Sequence, residues 1–177
     1  MLSNKIIDKL NEQINCEFYS SNLYLQMSSW CDNQGLEGCA MFLANHSKEE
    51  MGHMNRLFSY VNECGSMVKL GDIKAPPTEY ASVTEVFEEI YKHELFVTKL
   101  INELVEAAFS EKDFSTFNFL QWYVGEQHEE EKLFKAIIDK IKIIGADGRG
   151  LFHFDEQMKQ LYAGRQLDGA GEPGFNG

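Results

Sequence analysis

Four long stretches of this chain carry apolar residues at helical spacing, and near the middle of each stretch the apolar seam is broken by a carboxylate or an amide. The stretches cover about residues 4–33, 39–64, 83–109 and 114–144, with a shorter fifth over about 148–162. Nothing sustained alternates as a strand would, so the expected fold is all-α: a four-helix bundle with a short C-terminal fifth helix. The 177 residues and 44% hydrophobic content suit one core, which places a single domain over residues 1–163 and a glycine-rich tail over 164–177.

The seams can be read residue by residue. In the first helix Leu10 and Ile14 lead to Glu17, Ser21 and Tyr24. In the second, Phe42 and His46 lead to Glu50 and His53, and the face continues through Leu57, Tyr60 and Cys64. The third runs Val83, Val86, Ile90, Glu94, Val97, Ile101, Leu104 and Ala108, with one carboxylate in an otherwise apolar line. The fourth passes from Phe117, Leu120 and Val124 to Gln127 and Glu130, then resumes at Phe134, Ile137, Ile141 and Ile144. Each polar pair at i and i+3 faces one side of its helix.

Because each interruption lies near its helix midpoint, Glu17, Glu50, His53, Glu94, Gln127 and Glu130 should meet in one layer whichever way the helices run. An internal repeat supports this: a shift of 77 positions maps Glu17, Glu50 and His53 onto Glu94, Gln127 and Glu130. Four buried carboxylates without cations would repel one another and hold protons, whereas two metal ions remove that conflict. Oxygen-rich ligation with one imidazole suits iron or manganese better than structural zinc.

Links between the helices constrain the topology. Gly35 and Gly38 separate the first pair, and Gly145 and Gly148 end the fourth helix. Ser82 with Glu85, and Asp113 three residues after Ser110, offer side-chain oxygens and early negative charge at two helix starts. The segment from about Gly65 to Ser82 contains Gly71, Pro76 and Pro77 and should not be helical throughout. Extended at roughly 3.3 Å per residue it could span about 60 Å, more than the roughly 40 Å of a bundle helix. One long crossover between two antiparallel hairpins follows, with the second and third helices parallel.

Charge and cysteine usage narrow the partners. With 28 acidic against 16 basic residues the net charge is -12, which disfavours nucleic acid and favours cations. Cys16, Cys31, Cys39 and Cys64 lack C-x-x-C spacing and follow no signal peptide, so reduced thiols in a cytoplasmic protein are expected. No apolar run approaches the ~20 residues of a membrane span.

The runs EFYSSNLYLQM, EEMGHMNRLFSY and FNFLQWYVGEQHEEEKLFKAIIDK resemble bacterial non-haem ferritins, within the ferritin-like di-iron superfamily, and the likeness covers about residues 1–162. The superfamily's ligand pattern, one Glu from each of two helices and an i, i+3 pair from each of the others, is a general feature of such bundles. The resemblance implies a ferroxidase that oxidises Fe(II) with dioxygen or hydrogen peroxide and stores the product as a ferric mineral inside a 24-subunit shell. It further implies that Glu17, Glu50 and His53 hold one iron. Glu50 would bridge to a second iron held by Glu94 and Glu130 and approached by Gln127. By the same likeness Tyr24 is the tyrosine beside the centre, and Glu49, Glu126 and Glu129, with Glu130, are ligands of a third iron. Trp122 is similar to a family aromatic near the centre, although core packing also accounts for it.

Bacterioferritins are the near competitor, and Met51 resembles the methionine with which they grip haem. Their fourth helix carries Glu-x-x-His, however, whereas this chain has Gln127 and Glu130, with His128 one position off the face. No haem is expected. Rubrerythrin-like enzymes add paired cysteine knuckles, which are lacking here, and the DNA-protecting mini-ferritins lack the fifth helix and carry basic tails. A metal-free bundle would need Lys or Arg beside the central carboxylates, and none lies on the four seams.

Overall fold

In the computed structural model, which describes residues 2–145 and 147–169, the chain forms five helices: α1 (Asn4–Asn33), α2 (Glu37–Glu63), α3 (Val83–Ser110), α4 (Phe114–Ile144) and α5 (Gly148–Gly169). Local chemistry fixes the starts. Ser3 and Ser82 accept hydrogen bonds from the Ile6 and Glu85 amides, and the Glu85 carboxylate reaches back to the Ala81 amide at 2.5 Å, a reciprocal arrangement like that of a capping box. Asp113 caps α4 by accepting from the Thr116 amide at 3.1 Å and the Thr116 hydroxyl at 2.6 Å. Helix α4 stops at Gly145, whose φ of 87° a side chain would resist.

Two separate hydrophobic clusters reveal the topology. At one end Met27, Cys31, Cys39, Phe42, Val86, Phe87, Phe134 and Ile141 pack together, and at the other Ile6, Leu10, Leu57, Val61, Ile101, Leu104 and Leu120 do. The start of α2 thus lies with the end of α1, and the start of α3 with the start of α2. Helices α2 and α3 are parallel, each hairpin is antiparallel, and the link from Cys64 to Ser82 traverses the full bundle without helix. Asn11 and Asn15 pin this crossover to α1: their side-chain oxygens accept from the Lys69 and Gly71 amides at 2.9 and 2.7 Å. Tyr80 then packs edge-on against Trp30.

Three expectations need correction. On α4 the buried seam position is Tyr123, 1% exposed, while Val124 is 37% exposed; the helix continues straight and the larger aromatic faces inward. Gly38 lies inside α2 and does not separate it from α1. It is small because α5 crosses there: a Cβ on Gly38 would overlap the Asp155 carbonyl oxygen. Gly148 opens α5 instead of ending α4, and α5 continues through Gly164 to Gly169. Residues 170–177 of the expected tail lie outside the described residues. All four cysteines are free thiols, and among the described residues no helix is long and apolar enough to cross a membrane.

Helix α5 docks chiefly on α2. Leu36, at the N-cap of α2, supplies no side-chain hydrogen bond; the Asp155 carboxylate does so from α5, accepting from the Gly38 and Cys39 amides at 3.0 and 2.8 Å. A negative charge there also complements the helix dipole. Asp155→Ala should cost about 1–2 kcal/mol, the usual value of a lost N-cap, and should free the amides of α5 to exchange, as measured by urea denaturation and hydrogen exchange. Gly38→Ala should have the same signature.

Candidate metal centre

Between the two apolar clusters lies a polar layer. Glu17, Glu50, Glu94, Gln127 and Glu130 are each at most 4% exposed, and His53 is 8% exposed, so all six side chains are in the interior with little water to solvate their charge. Ligand atoms of Glu17, Glu50 and His53 lie within 4.8 Å of one another. His53 Nδ1 is 3.4 Å from a Glu50 oxygen and 3.9 Å from a Glu17 oxygen. On the other side Gln127 donates to the Glu94 carboxylate at 2.9 Å, and the Tyr24 hydroxyl donates to the other Glu94 oxygen. Helices α1 and α2 approach closely beside the layer, where Ser21 and Ser47 each donate a hydroxyl to the other's backbone carbonyl at 2.7 Å.

Several surrounding groups escape notice in the sequence. Gln13, one turn before Glu17, donates to its carboxylate at 2.6 Å, and an amide at that spacing on a helix carried no special signal. Tyr123 donates to the His53 backbone carbonyl at 2.7 Å. His46 appears on the seam as one more core residue, yet its Nε2 lies 2.7 Å from Glu130 and its Nδ1 3.1 Å from Glu49. These three residues form a second group able to hold a metal ion. Glu126 is half-buried and Glu129 exposed on α4, and neither belongs to the groups of converging ligand atoms found among the described residues. Trp122 meets His53 edge-on and lies under the Arg56 guanidinium, 4.5 Å from its ring centre, a cation–π stack.

Burial dominates the electrostatics. Desolvation holds the Glu17 and Glu50 carboxyls well above the ordinary value of 4.5 and raises Glu94 as well; the charges of Glu50 on Glu17, Glu94 on Glu50, and Glu130 on Glu94 add to it. The Tyr24 phenol is pushed up by burial and by Glu94. One Glu17 oxygen is buried with no hydrogen-bond donor. Such a site favours either protons or multivalent cations.

A four-helix bundle with a carboxylate-rich layer across its middle is the ferritin-like class of helical metalloprotein. The ferritin-like domain model matches residues 7–144, and the chain belongs to the ferritin family. It is 58% identical over 161 residues to a probable bacterial non-heme ferritin-like protein of Haemophilus influenzae, covering 91% of this chain and 98% of that one. To a bacterial non-heme ferritin of Escherichia coli it is 52% identical with the same coverage. Among solved structures, the open-pore ferritin of Archaeoglobus fulgidus superposes with a TM-score of 0.88 at 45% identity, over 90% of this chain and 98% of that one.

Raised carboxyl values mean that the folded, metal-free protein binds more protons than the unfolded chain above about pH 4.5, so these groups lose stabilising effect as pH rises through their folded values. The urea midpoint of metal-free protein should fall between pH 5 and pH 8 by more in the wild type than in Glu50→Gln. Saturation with a redox-inert divalent cation should flatten the wild-type slope.

Proposed function

We propose that the buried layer is the dinuclear ferroxidase centre of this iron-storage protein. The observation that supports the reading is the burial of four carboxylates and one imidazole in one layer, with ligand atoms of Glu17, Glu50 and His53 close together and Gln127 bonded to Glu94. Glu17, Glu50 and His53 hold one Fe(II), and Glu94 and Glu130 hold the second with Gln127 beside it. Glu50 stands between the two. Carboxylates stabilise the ferric product more than the ferrous substrate, and the neutral amide of Gln127 makes the second position the weaker one.

Each Fe(II) gives up one electron, so a pair of ions reduces dioxygen with two protons to hydrogen peroxide, or peroxide with two protons to water. Iron binding itself displaces protons from the raised carboxyls. Tyr24 orients Glu94 by donating to it, and Gln13 does the same for Glu17. Oxidised iron leaves past Glu130 to a third position that Glu49, Glu126 and Glu129 serve, and collects as ferric mineral inside a hollow shell of about 24 copies, the closed symmetric assembly of the family. The acidic balance of the chain suits a cation-gathering container in the cytoplasm.

Aerobic addition of Fe(II) to the purified protein should give ferric absorbance within seconds. The double variant Glu50→Ala/His53→Ala should be slowed by more than the roughly 10–100-fold that outer-shell changes cause, while Glu129→Gln should leave the first two irons and weaken the third, as counted by anaerobic Fe(II) titration. Native sizing that gave a small oligomer without electron-dense contents would be incompatible with storage.

A further inference from the structure

We propose that the cleft bounded by α1, the crossover and α3 is the access route by which dioxygen reaches the metal layer, on the opposite side of the bundle from the acidic residues that attract iron. The inference rests on the ferroxidase reading above. The cleft encloses about 290 Å³ and is walled by Tyr19, Leu23 and Met27 of α1 and by Tyr80 of the crossover. His93 of α3 forms its inner end: Nε2 lies 2.7 Å from the Ser20 hydroxyl, and the ring stands edge-on to Tyr24 with centroids 6.2 Å apart. Tyr24 in turn bonds to Glu94, the residue after His93. A molecule in the cleft is therefore separated from a ligand of the second iron by two rings.

The chemistry of the walls selects among the reactants. Glu89 is the carboxylate on the rim and Lys92 pairs with it at 2.6 Å, while Leu23, Met27 and Pro77 with the rings of Tyr19 and Tyr80 form the rest of the wall, so a divalent cation finds no group of converging carboxylates to replace its hydration. Dioxygen has no hydrogen bonds to lose and partitions into apolar space. Glu49 lies on α2 and Glu126 and Glu129 on α4, whereas the cleft lies where α1 packs on α3, and none of the three lines it. Separate routes let iron and oxidant arrive without competing for one passage. The reaction served is the two-electron one: two Fe(II) become two Fe(III) while dioxygen takes both electrons and two protons and leaves as hydrogen peroxide.

The experiment narrows the cleft away from the ligands. In Leu23→Trp, with Met27→Phe as the alternative if that variant fails to assemble, the KM for dioxygen at saturating Fe(II) should rise by about three-fold or more. Anaerobic Fe(II) stoichiometry and anaerobic oxidation by added hydrogen peroxide should match the wild type. An unchanged KM for dioxygen overturns the proposal, and so does equal slowing with both oxidants, which would mark a disturbed centre. Wild-type crystals under xenon pressure give a readout independent of activity: xenon between Leu23 and Met27 is expected, and a cleft without it overturns the assignment. Absence of any Fe(II) oxidation in the wild type would instead defeat the ferroxidase reading on which this one stands.

Discussion

Burying four carboxylates at one level of a helical bundle is the constraint to which the rest of the structure answers. Without cations, Glu17, Glu50 and Glu94 resist ionisation because water is excluded and their neighbours repel them. The bundle cannot relieve this by opening, because the layer is clamped from both ends by apolar clusters that join all four helices. Apolar packing holds together groups that would separate if left to themselves, and a multivalent cation converts their repulsion into attraction. The cost appears as reduced stability at neutral pH when the layer holds no cation.

The same constraint explains the uneven build of the two hairpins. Where α1 and α2 supply Glu17, Glu50 and His53, α3 and α4 supply Glu94, Gln127 and Glu130, and the neutral amide sits where a charge would have crowded Glu94. Gln127 also donates to Glu94, so one neutral side chain both avoids a further negative charge and orients that carboxylate. Tyr24 orients that same carboxylate from α1. Glu94 thus has less freedom than Glu17, which is held by Gln13 alone on one oxygen and leaves the other without a donor.

Much of this was legible in the sequence because helical periodicity is strict: a titratable residue inside an apolar line is conspicuous, and the midpoint position of all four interruptions made their meeting independent of topology. The boundaries of α1 and α4 were readable for the same reason, and Ser82 and Asp113 marked two starts by their side-chain oxygens. The residues that escaped notice act across helices or lie beside the seam. His46 was counted as core because nothing local distinguishes a histidine that bridges two carboxylates from one that merely packs. Tyr123 and Val124 are neighbours on one helix, and only the exact azimuth of α4 decides which faces inward. Gly38 read as a break, since the reason for its small size, the backbone of α5 at Asp155, lies more than a hundred positions away.

That distant contact has a mechanical consequence. Asp155 ties the last helix to the beginning of α2 through two backbone amides, so force applied to the C-terminal segment reaches the first hairpin as well as α4, the helix to which α5 is covalently joined. Load on the last helix is therefore shared between α4, its covalent neighbour, and α2, the rod that carries Glu50 and His53.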